Sequence, residues 1–392
     1  MPLPKIAVLC AISGLGGAEV SLLELVGRLR PSYEFHLIIP GEGPFQRAAE
    51  EAGAKVWLLP WPEALSSTGE TAMHAGAVKL LRAAAAVQHF TRDVSALLEQ
   101  IAPAVLVTNA VKAHVIGALA RKRQPLPLVW YMRDGLEHRV LSRKLLSLLS
   151  WRCDAAVCIS EYVAAQFRQY VSRSAPSPVV YNIVDLGRFH PGVLPPPDLP
   201  KKPDEVWFGM LGAITPLKGQ DIFLRAADRV LTQLPTAVFL IVGDNVYLTE
   251  AGLGYREQLQ QRLAASLGER VKFMGFRDDV PGVLSQMDVL VQPNRGPEGL
   301  GRSVLEALAC GVPVIAVNKW GPAELVQHGH TGLLFPPLDT EQLAAHMVSL
   351  GQDESLRKRM GEHGRDWIQK NFISGKLAGQ FEQVLSSVMV SL

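Results

Sequence analysis

The stretch PEGLGRSVLEALACGVPVIA, residues 297–316, runs from a glycine-rich turn through a helical segment into a buried strand. The apolar spacing of RSVLEALAC predicts a helix, and the run PVIAV predicts a strand covered on both faces. Glu298 precedes the turn and Glu306 lies in the helix, with seven residues between them. Gly299 and Gly301 leave backbone N–H groups at the helix start open to an anion. The pattern therefore predicts a ligand-binding edge of a parallel sheet.

Strand-like apolar runs alternate with helix-like stretches on both sides of this segment. The runs of the first half are KIAVLCA, EFHLIIP, AKVWLLP, AVLVTN, LPLVWYM, DAAVCIS and SPVVYN, and those of the second half are EVWFGMLG, AVFLIVG, RVKFMGF, DVLVQPN, PVIAV and GLLFPP. This rhythm predicts an α/β fold with two doubly wound parallel sheets. A proline-rich segment without periodicity separates the halves and predicts a semi-rigid linker. We expect a first domain at 1–188, a linker at 189–205, a second domain at 206–374 and a final helix at 375–392.

Composition excludes several classes of protein. The chain has 392 residues, of which 48% are hydrophobic and 19% charged, so it can bury large cores and is not of disordered composition. Its apolar runs are too short to span a membrane, and its start lacks a signal-peptide cleavage site, so we expect a cytoplasmic protein. The four cysteines lie in apolar patterns without metal-ligand spacing, which predicts buried thiols and no metal site.

The turn after the first strand reads SGLGGAEVSLLEL. Gly16 and Gly17 permit close approach of a ligand to the backbone at the start of a helix. Glu19 occupies the position where a dinucleotide-binding fingerprint has its last glycine, so an NAD site is not favoured. A tight turn without any ligand is an equally good interpretation of this stretch taken alone.

The turn GMLGAITPLKGQ places Lys218 directly before a helix in the second half. A lysine there can reach a phosphate as a point charge, whereas the ordinary alternative is a solvated lysine. The turn lacks the ending that defines a P-loop. In the 297–316 stretch, the N–H groups near Arg302 and Ser303 are further phosphate donors. Glu298 can accept from sugar hydroxyls and Glu306 from a vicinal diol such as ribose, although either glutamate alone would be interpreted as a surface acid.

With these motifs in order along nearly its whole length, the sequence resembles the family-4 glycosyltransferases. The resemblance rests on GGAEVSLLEL, CISEYVAAQF, VVYNIVDLGRF, IVGD, VKFMGFRDDVPGVLSQMDVLVQPN, the opening stretch with its paired glutamates, and GPAELVQHGHTGLLFPPLD. These are retaining enzymes of GT-B fold, in which two Rossmann-like domains face a central cleft. The resemblance implies a nucleotide-diphosphate sugar, of UDP or GDP type, as donor substrate and no separate cofactor.

The resemblance also implies roles for individual residues. Lys218 would bind the donor diphosphate, Glu306 the ribose, and Glu298 the donor sugar. Phe276 and Arg277 would lie beside the base. The donor-binding candidates are Gly16, Gly17, Lys218, Phe276, Arg277, Glu298, Gly299, Leu300, Gly301, Arg302, Ser303 and Glu306. The catalytic candidates are Lys218, Glu298, Arg133 and Asp134. The final helix would cross back onto the first domain.

Three departures from the family pattern bear on the site. Ala213 stands where many members have an arginine, and we hypothesise that Arg302 supplies the missing diphosphate partner. Ile183 replaces a glycine. Where many members carry a histidine that touches the donor sugar, this chain has Met132, Arg133 and Asp134. Arg133 and Asp134 either face the cleft or pair with each other as structural ions. His114, within a helical run, is predicted to be packed.

The acceptor is sought in the first domain. Residues 121–152 carry eight Lys or Arg against two acids, a local net charge of +6. Within them, the segment 136–152 mixes basic residues with Leu and Trp, which suits a helix attracted to anionic lipid. Ordinary core contacts are the favoured interpretation of Leu141, Leu145, Leu148 and Leu149. The stretch lacks the interleaved aromatics of a nucleic-acid binder, so no nucleic acid is expected.

We therefore predict a retaining glycosyltransferase that moves a sugar from a nucleotide-diphosphate donor to a hydroxyl, on a glycan or lipid-linked glycan in cell-surface polysaccharide synthesis. A peripheral position at the inner face of a membrane is a further hypothesis. The alternatives are a non-catalytic protein that binds sugar nucleotides, or an epimerase or phosphorylase of the same fold.

Overall fold

The computed structural model describes residues 2–63, 77–121, 126–244 and 254–390. They form two compact units. Unit 1 runs up to Ile183 and includes the helix that begins at Ser374, and unit 2 is Val184–Ile373. No helix within the described ranges is both long and apolar enough to cross a bilayer.

Unit 1 is built on a parallel sheet of six strands in the order β3-β2-β1-β4-β5-β6. The strands are β1 (Lys5–Cys10), β2 (Glu34–Ile39), β3 (Lys55–Leu58), β4 (Val105–Asn109), β5 (Leu128–Met132) and β6 (Ala155–Cys158). The helices that connect them are α1 (Gly17–Leu29), α2 (Pro44–Glu51), α3 (Ala77–Ile101), α4 (Val111–Ala120), α5 (Val140–Leu149) and α6 (Glu161–Tyr170). Every residue of β4 and β5 is buried, as expected for central strands covered by helices on both faces.

Unit 2 repeats the architecture with the strand order β12-β11-β10-β7-β8-β9. Its strands are β7 (Val206–Leu211), β8 (Ala237–Val242), β9 (Val271–Gly275), β10 (Val289–Gln292), β11 (Val314–Val317) and β12 (Gly332–Phe335). Its helices are α7 (Gln220–Leu231), α8 (Tyr255–Leu259), α9 (Val280–Gln286), α10 (Arg302–Ala309), α11 (Pro322–Leu325), α12 (Thr340–Gln352) and α13 (Glu354–Asn371). The predicted α/β class with two doubly wound parallel sheets is confirmed.

The final helix, α14 (Ser374–Val390), belongs to unit 1, where Phe381 packs edge-on against Tyr131 with ring centroids 5.2 Å apart. The proline-rich segment 189–205 packs within unit 2. Its Phe189 and Leu199 are buried, and Arg365 donates to the Phe189 carbonyl at 2.6 Å.

The run SPVVYN, interpreted as a strand, forms only an isolated bridge between Cys158 and Val179 beside β6. Pro176 and Pro178 accept hydrogen bonds there through their carbonyls but have no N–H to donate. The segment therefore follows the sheet without completing a ladder, and the strand prediction is wrong at this point.

Candidate active site

The loops after β7 and β10, two neighbouring strands of unit 2, pack directly on each other. Arg295 and Gly296 donate their N–H groups to the Leu217 carbonyl at 3.0 and 3.1 Å. A Cβ on Gly219, which has φ +80°, would lie 2.1 Å from the Pro293 carbonyl oxygen. Only glycine fits this contact. The contact brings Lys218, at the end of one loop, onto the other loop.

Lys218 Nζ donates to Glu298 Oε2, so the two residues form an ion pair at the carboxyl edge of the sheet. Asn294, which is buried, places its Nδ2 3.4 Å from the same oxygen and accepts from Gln292 Nε2 at 2.8 Å. Ser303 Oγ donates to Gln292 Oε1 at 3.0 Å. A continuous hydrogen-bond network thus links the lysine to the start of α10. Sequence reasoning missed Asn294 and Gln292, although two amides at the end of a buried strand are a usable signal.

The glycine turn between Glu298 and α10 is fixed from behind by the chain near α11. Gly321 N–H donates to the Glu298 carbonyl at 3.1 Å. A Cβ on Gly321 would lie 2.3 Å from the Gly299 carbonyl oxygen. Leu300 is buried. Gly301 lies directly before α10, whose N-terminal amides are the predicted phosphate donors.

Arg302 and Glu306 face each other one turn apart on α10. Arg302 Nε donates to Glu306 Oε1 at 2.6 Å, and both side chains are largely buried. Glu306, predicted to bind ribose, is therefore paired with Arg302. Arg302 is the residue predicted to supply the diphosphate partner that Ala213 lacks. A diphosphate contact of Arg302 stays a prediction.

Phe276 and Arg277 follow β9, which is separated from β7 by one strand. The Phe276 side chain is 62% exposed. Arg277 binds two carboxylates, Asp198 at 2.6 and 3.1 Å and Asp279 at 2.8 and 2.5 Å. Its hydrogen bonds lower the pKa of both carboxyl groups. The arginine is thus held rigidly beside an exposed aromatic ring, an arrangement on which a flat group can stack.

In unit 1, Gly16 precedes α1 and Gly17 begins it. Gly16 N–H donates to Glu19 Oε2 at 3.2 Å, so the residue that breaks the dinucleotide fingerprint serves as a helix cap. Burial raises the pKa of the Glu19 carboxyl, and the nearby Arg133 opposes this shift.

Arg133 and Asp134 follow β5 but do not pair with each other, so the interpretation as a mutual ion pair is wrong. Arg133 Nε donates to Asn109 Oδ1 at 2.6 Å and Nη1 to Asn182 Oδ1 at 3.4 Å. Asp134 instead accepts from Arg139 at 3.2 Å. The arginine is buried, whereas Asp134 lies at the surface.

Two packing predictions have different outcomes. His114 is buried, lies 2.7 Å from Thr108 Oγ1 and stacks on Trp130, and burial lowers its pKa to about 3, so it is confirmed as a packed residue. Leu141, Leu145 and Leu148 are exposed, so their interpretation as core contacts is wrong. Only the intervening Leu146 is fully buried, because α5 turns a single edge inward. All four cysteines are buried, as expected.

The site contains a lysine, a glycine turn that leads into a helix N-terminus, and two carboxylates at the edge of a parallel sheet. Among the residues that the structure describes, no group of three or more His, Cys, Asp or Glu could hold a metal ion. Two sheets of this topology with such turns define the GT-B class of glycosyltransferases.

Comparisons with known proteins identify the family. Residues 15–188 match the family described as Glycosyltransferase Family 4, and residues 196–367 match Glycosyl transferases group 1. The GDP-mannose-dependent alpha-(1-6)-phosphatidylinositol monomannoside mannosyltransferase of Mycolicibacterium smegmatis is 30% identical over 284 residues, 67% of this chain and 71% of that protein. The chain belongs to glycosyltransferase family 4 and acts with nucleotide-sugar donors.

The chain is also similar to a second curated glycosyltransferase and to a solved structure. The UDP-Gal:alpha-D-GlcNAc-diphosphoundecaprenol alpha-1,3-galactosyltransferase of Escherichia coli is 26% identical over 310 residues, 73% of this chain and 76% of that protein. The crystal structure of Anabaena HepE in complex with UDP-glucose superposes with a TM-score of 0.80 over 98% of this chain and 100% of that one. At 23% identity the latter shows the GT-B fold alone.

Proposed function

We propose that this enzyme transfers a sugar, with retention of anomeric configuration, from a UDP- or GDP-sugar to a hydroxyl of a glycan or lipid-linked glycan in cell-surface polysaccharide synthesis. The observation that carries the proposal is the Lys218–Glu298 pair beside the Gly299–Gly301 turn. These groups combine a cation, a glycine turn at a helix N-terminus and a carboxylate, which together suit a sugar diphosphate.

The leaving group determines the role of the lysine. When the bond between the anomeric carbon and the phosphate oxygen breaks, its electron pair stays on the diphosphate. Lys218 and the amides at the start of α10 stabilise that charge where it develops. A bound diphosphate competes with Glu298 for Lys218, since charge-assisted bonds to phosphate are strong. The exchange releases a Glu298 oxygen for the sugar hydroxyls.

Retention fits the position of Glu298. Its carboxylate is held by Lys218 and Asn294, which suits binding of the sugar more than nucleophilic attack. The acceptor hydroxyl then bonds to the anomeric carbon on the face that the phosphate leaves. Its proton passes to the departing phosphate oxygen, so atoms and charge balance without a covalent enzyme intermediate.

Other groups complete the proposed site. Glu306 accepts from the ribose hydroxyls, and Phe276 with Arg277 lies beside the base. Gly16 and Gly17 of unit 1 approach the diphosphate. We also assign Asp134 a contact with the reactants, since it lies with Gly16 at the carboxyl edge of the unit 1 sheet.

The proposed acceptor class is supported by the two relatives. Their names specify a phosphatidylinositol monomannoside and a GlcNAc-diphosphoundecaprenol as acceptors, both of them lipid-linked. Their donors are GDP-mannose and a UDP-sugar, so both bases stay candidates for this chain.

Helix α5 and the turn after it offer a surface for an anionic membrane, within the predicted segment 136–152. Leu148 and Trp151 are 71% and 74% exposed, and Val140, Leu141 and Leu145 are exposed beside them. Lys144 is exposed on the same short helix. Exposed apolar side chains beside an exposed lysine suit the interface of an anionic bilayer.

The transfer proposal is tested with a panel of UDP- and GDP-sugars. We expect one donor to raise the melting temperature of the full chain by mass action and to be consumed only when a lipid-linked acceptor is supplied. NMR of the product should show the donor's anomeric configuration. An inverted product would reject the retaining mechanism.

The membrane proposal is tested by flotation with liposomes of phosphatidylglycerol and with neutral phosphatidylcholine. We expect salt-sensitive binding to the anionic vesicles only, weakened in a Leu148→Ser/Trp151→Ser variant. Leu194→Ser, at an exposed leucine of unit 2, is the matched control. Equal flotation of both variants would refute the assignment of this surface.

A further inference from the structure

Arg133 is a buried cation held by neutral groups. It follows the last residue of β5 and is 8% exposed. Its two hydrogen-bond partners are the amide oxygens of Asn109 and Asn182, and its guanidinium carbon lies 4.1 Å from the centre of the Tyr131 ring. Amide oxygens and an aromatic face fix its orientation but carry no negative charge.

The remaining nitrogen of this guanidinium, Nη2, differs from the other two. Arg133 Nη2 is buried and has no hydrogen-bond partner among the described residues. Native proteins pair nearly all buried donors, so an exception of this kind calls for an explanation. A charged donor is the most costly type to leave unpaired, because burial removes its hydration.

The acids near Arg133 are engaged elsewhere. Glu19 interacts with it through space, but its Oε2 accepts from Gly16 N–H. Asp134 accepts from Arg139. No carboxylate of the described residues forms a hydrogen bond with Arg133, so the site retains an unused donor.

We propose that Arg133 Nη2 binds an anionic oxygen, of a carboxylate or a phosphate, on one of the two reactants. The inference rests on the proposed function and refines it, since it assigns a charge to a substrate group that the carboxyl edge of unit 1 recognises. Arginine suits this task because it cannot lose its proton and because its planar fork keeps the remaining donor in place. A neutral hydroxyl would also accept the hydrogen bond, but an anionic oxygen forms the stronger, charge-assisted one.

Two reactants could supply the anion, and the probes separate them. For the donor, we would compare binding of UDP, UDP-glucose and UDP-glucuronate to the full chain by calorimetry. For the acceptor, we would compare glucose 6-phosphate and D-glucuronate with glucose, in the presence of saturating UDP. The wild type should bind the acidic member of one set at least tenfold more tightly than the neutral one. A donor diphosphate as the target would appear instead as weaker binding of UDP itself in the variants.

Three substitutions test the role of the charge. Arg133→Gln should abolish the preference for the acidic probe, and Arg133→Lys should retain only part of it. Asn109→Asp keeps the arginine but gives it a carboxylate at 2.6 Å, so the anion preference should fall at least tenfold while thermal stability is maintained. Arg28→Gln, at an exposed arginine of α1, is the control and should behave as the wild type.

The outcomes are distinct. The inference would be overturned if the wild type showed no preference for an acidic probe and the Arg133 variants bound UDP as tightly as the wild type. Variants that lower only the melting temperature and keep both the preference and the affinity for UDP would overturn it as well. A chain that transfers sugar without any anion effect of Arg133 keeps the proposed function and rejects only this inference. A chain that binds the probes through Arg133 but transfers no sugar keeps this inference and rejects the proposed function.

Discussion

Lys218 and Arg133 lie at the carboxyl edges of two sheets with the same strand topology, yet their positive charges have different hydrogen-bond partners. The lysine is paired with a carboxylate, Glu298, and is partly exposed. The arginine is buried and paired with the neutral amides of Asn109 and Asn182. A paired, accessible lysine can exchange its partner for an incoming diphosphate. A buried arginine held by amides keeps its orientation and its charge, so it can select a ligand without moving.

The largest effect is expected at the exchangeable pair. Lys218→Ala should lower kcat/KM for sugar transfer by about 10²–10³-fold, the usual cost of removing a group that stabilises developing charge. Glu306→Ala should lower kcat/KM as well, because it removes the proposed acceptor of the ribose hydroxyls. Circular dichroism should show an intact fold. The controls are Lys358→Ala and Glu354→Ala, which remove partners of an exposed pair on α13. Near-normal turnover in both site variants would break the assignment of this edge as the active site.

The next effect concerns the glycine that brings the lysine loop onto its neighbour. Gly219→Ala should cost about 1–3 kcal/mol from the positive φ alone, and more because its Cβ would meet the Pro293 carbonyl. Displacement of Lys218 should lower kcat/KM by roughly 10²-fold as well. Gly254→Ala isolates the backbone term, since Gly254 has φ +73° but open space around it. Urea unfolding measures the loss of unfolding free energy, and steady-state kinetics measure the loss of kcat/KM. Equal losses in Gly219→Ala and Gly254→Ala would show that the loop contact is unimportant.

A pH experiment tests whether the carboxyl edge of unit 1 is as dry as Arg133 requires. His114, on α4, is buried against Trp130 of β5, with its pKa lowered from 6.5 to about 3 by burial. Between these values the unfolded chain binds a proton that the folded chain excludes, so stability rises with pH and is lost on acidification. From pH 7 to pH 5 the histidine should account for about 2 kcal/mol of lost unfolding free energy.

The comparison is made between the wild type and His114→Gln by urea unfolding at both pH values. Glu19 acts in the opposite sense, because its raised pKa favours the folded state on acidification, but it is present in both proteins and cancels. A wild type and variant with the same pH dependence would indicate that water reaches this edge.

The smallest effect is expected for the amide that supports Glu298. Asn294→Ala removes one hydrogen bond to the carboxylate, worth about 1 kcal/mol, and should lower kcat about fivefold to tenfold. The KM for the donor should change little, because Lys218 and the turn amides remain. A drop as large as that of Lys218→Ala would assign Asn294 a direct contact with the sugar, and no change would remove it from the site.

Some features of this protein follow from the sequence alone. The alternation of apolar runs and helical stretches determines two parallel sheets, because period and length are local properties that burial on both faces reinforces. The glycines beside Lys218 and Glu298 likewise predict strand-to-helix turns, since a turn that needs a positive φ or a close approach requires glycine.

Only the tertiary structure determined the partners of the charges. The order of the strands decides that Lys218 pairs with Glu298 and that Asn294 supports the same carboxylate. It also decides that Arg133 bonds to Asn109 and not to Asp134. The exposure of Leu148 was likewise decided by which edge of a short helix faces the sheet. Contacts between residues distant in the chain depend on strand order and packing distances, and no local pattern of residue types encodes these.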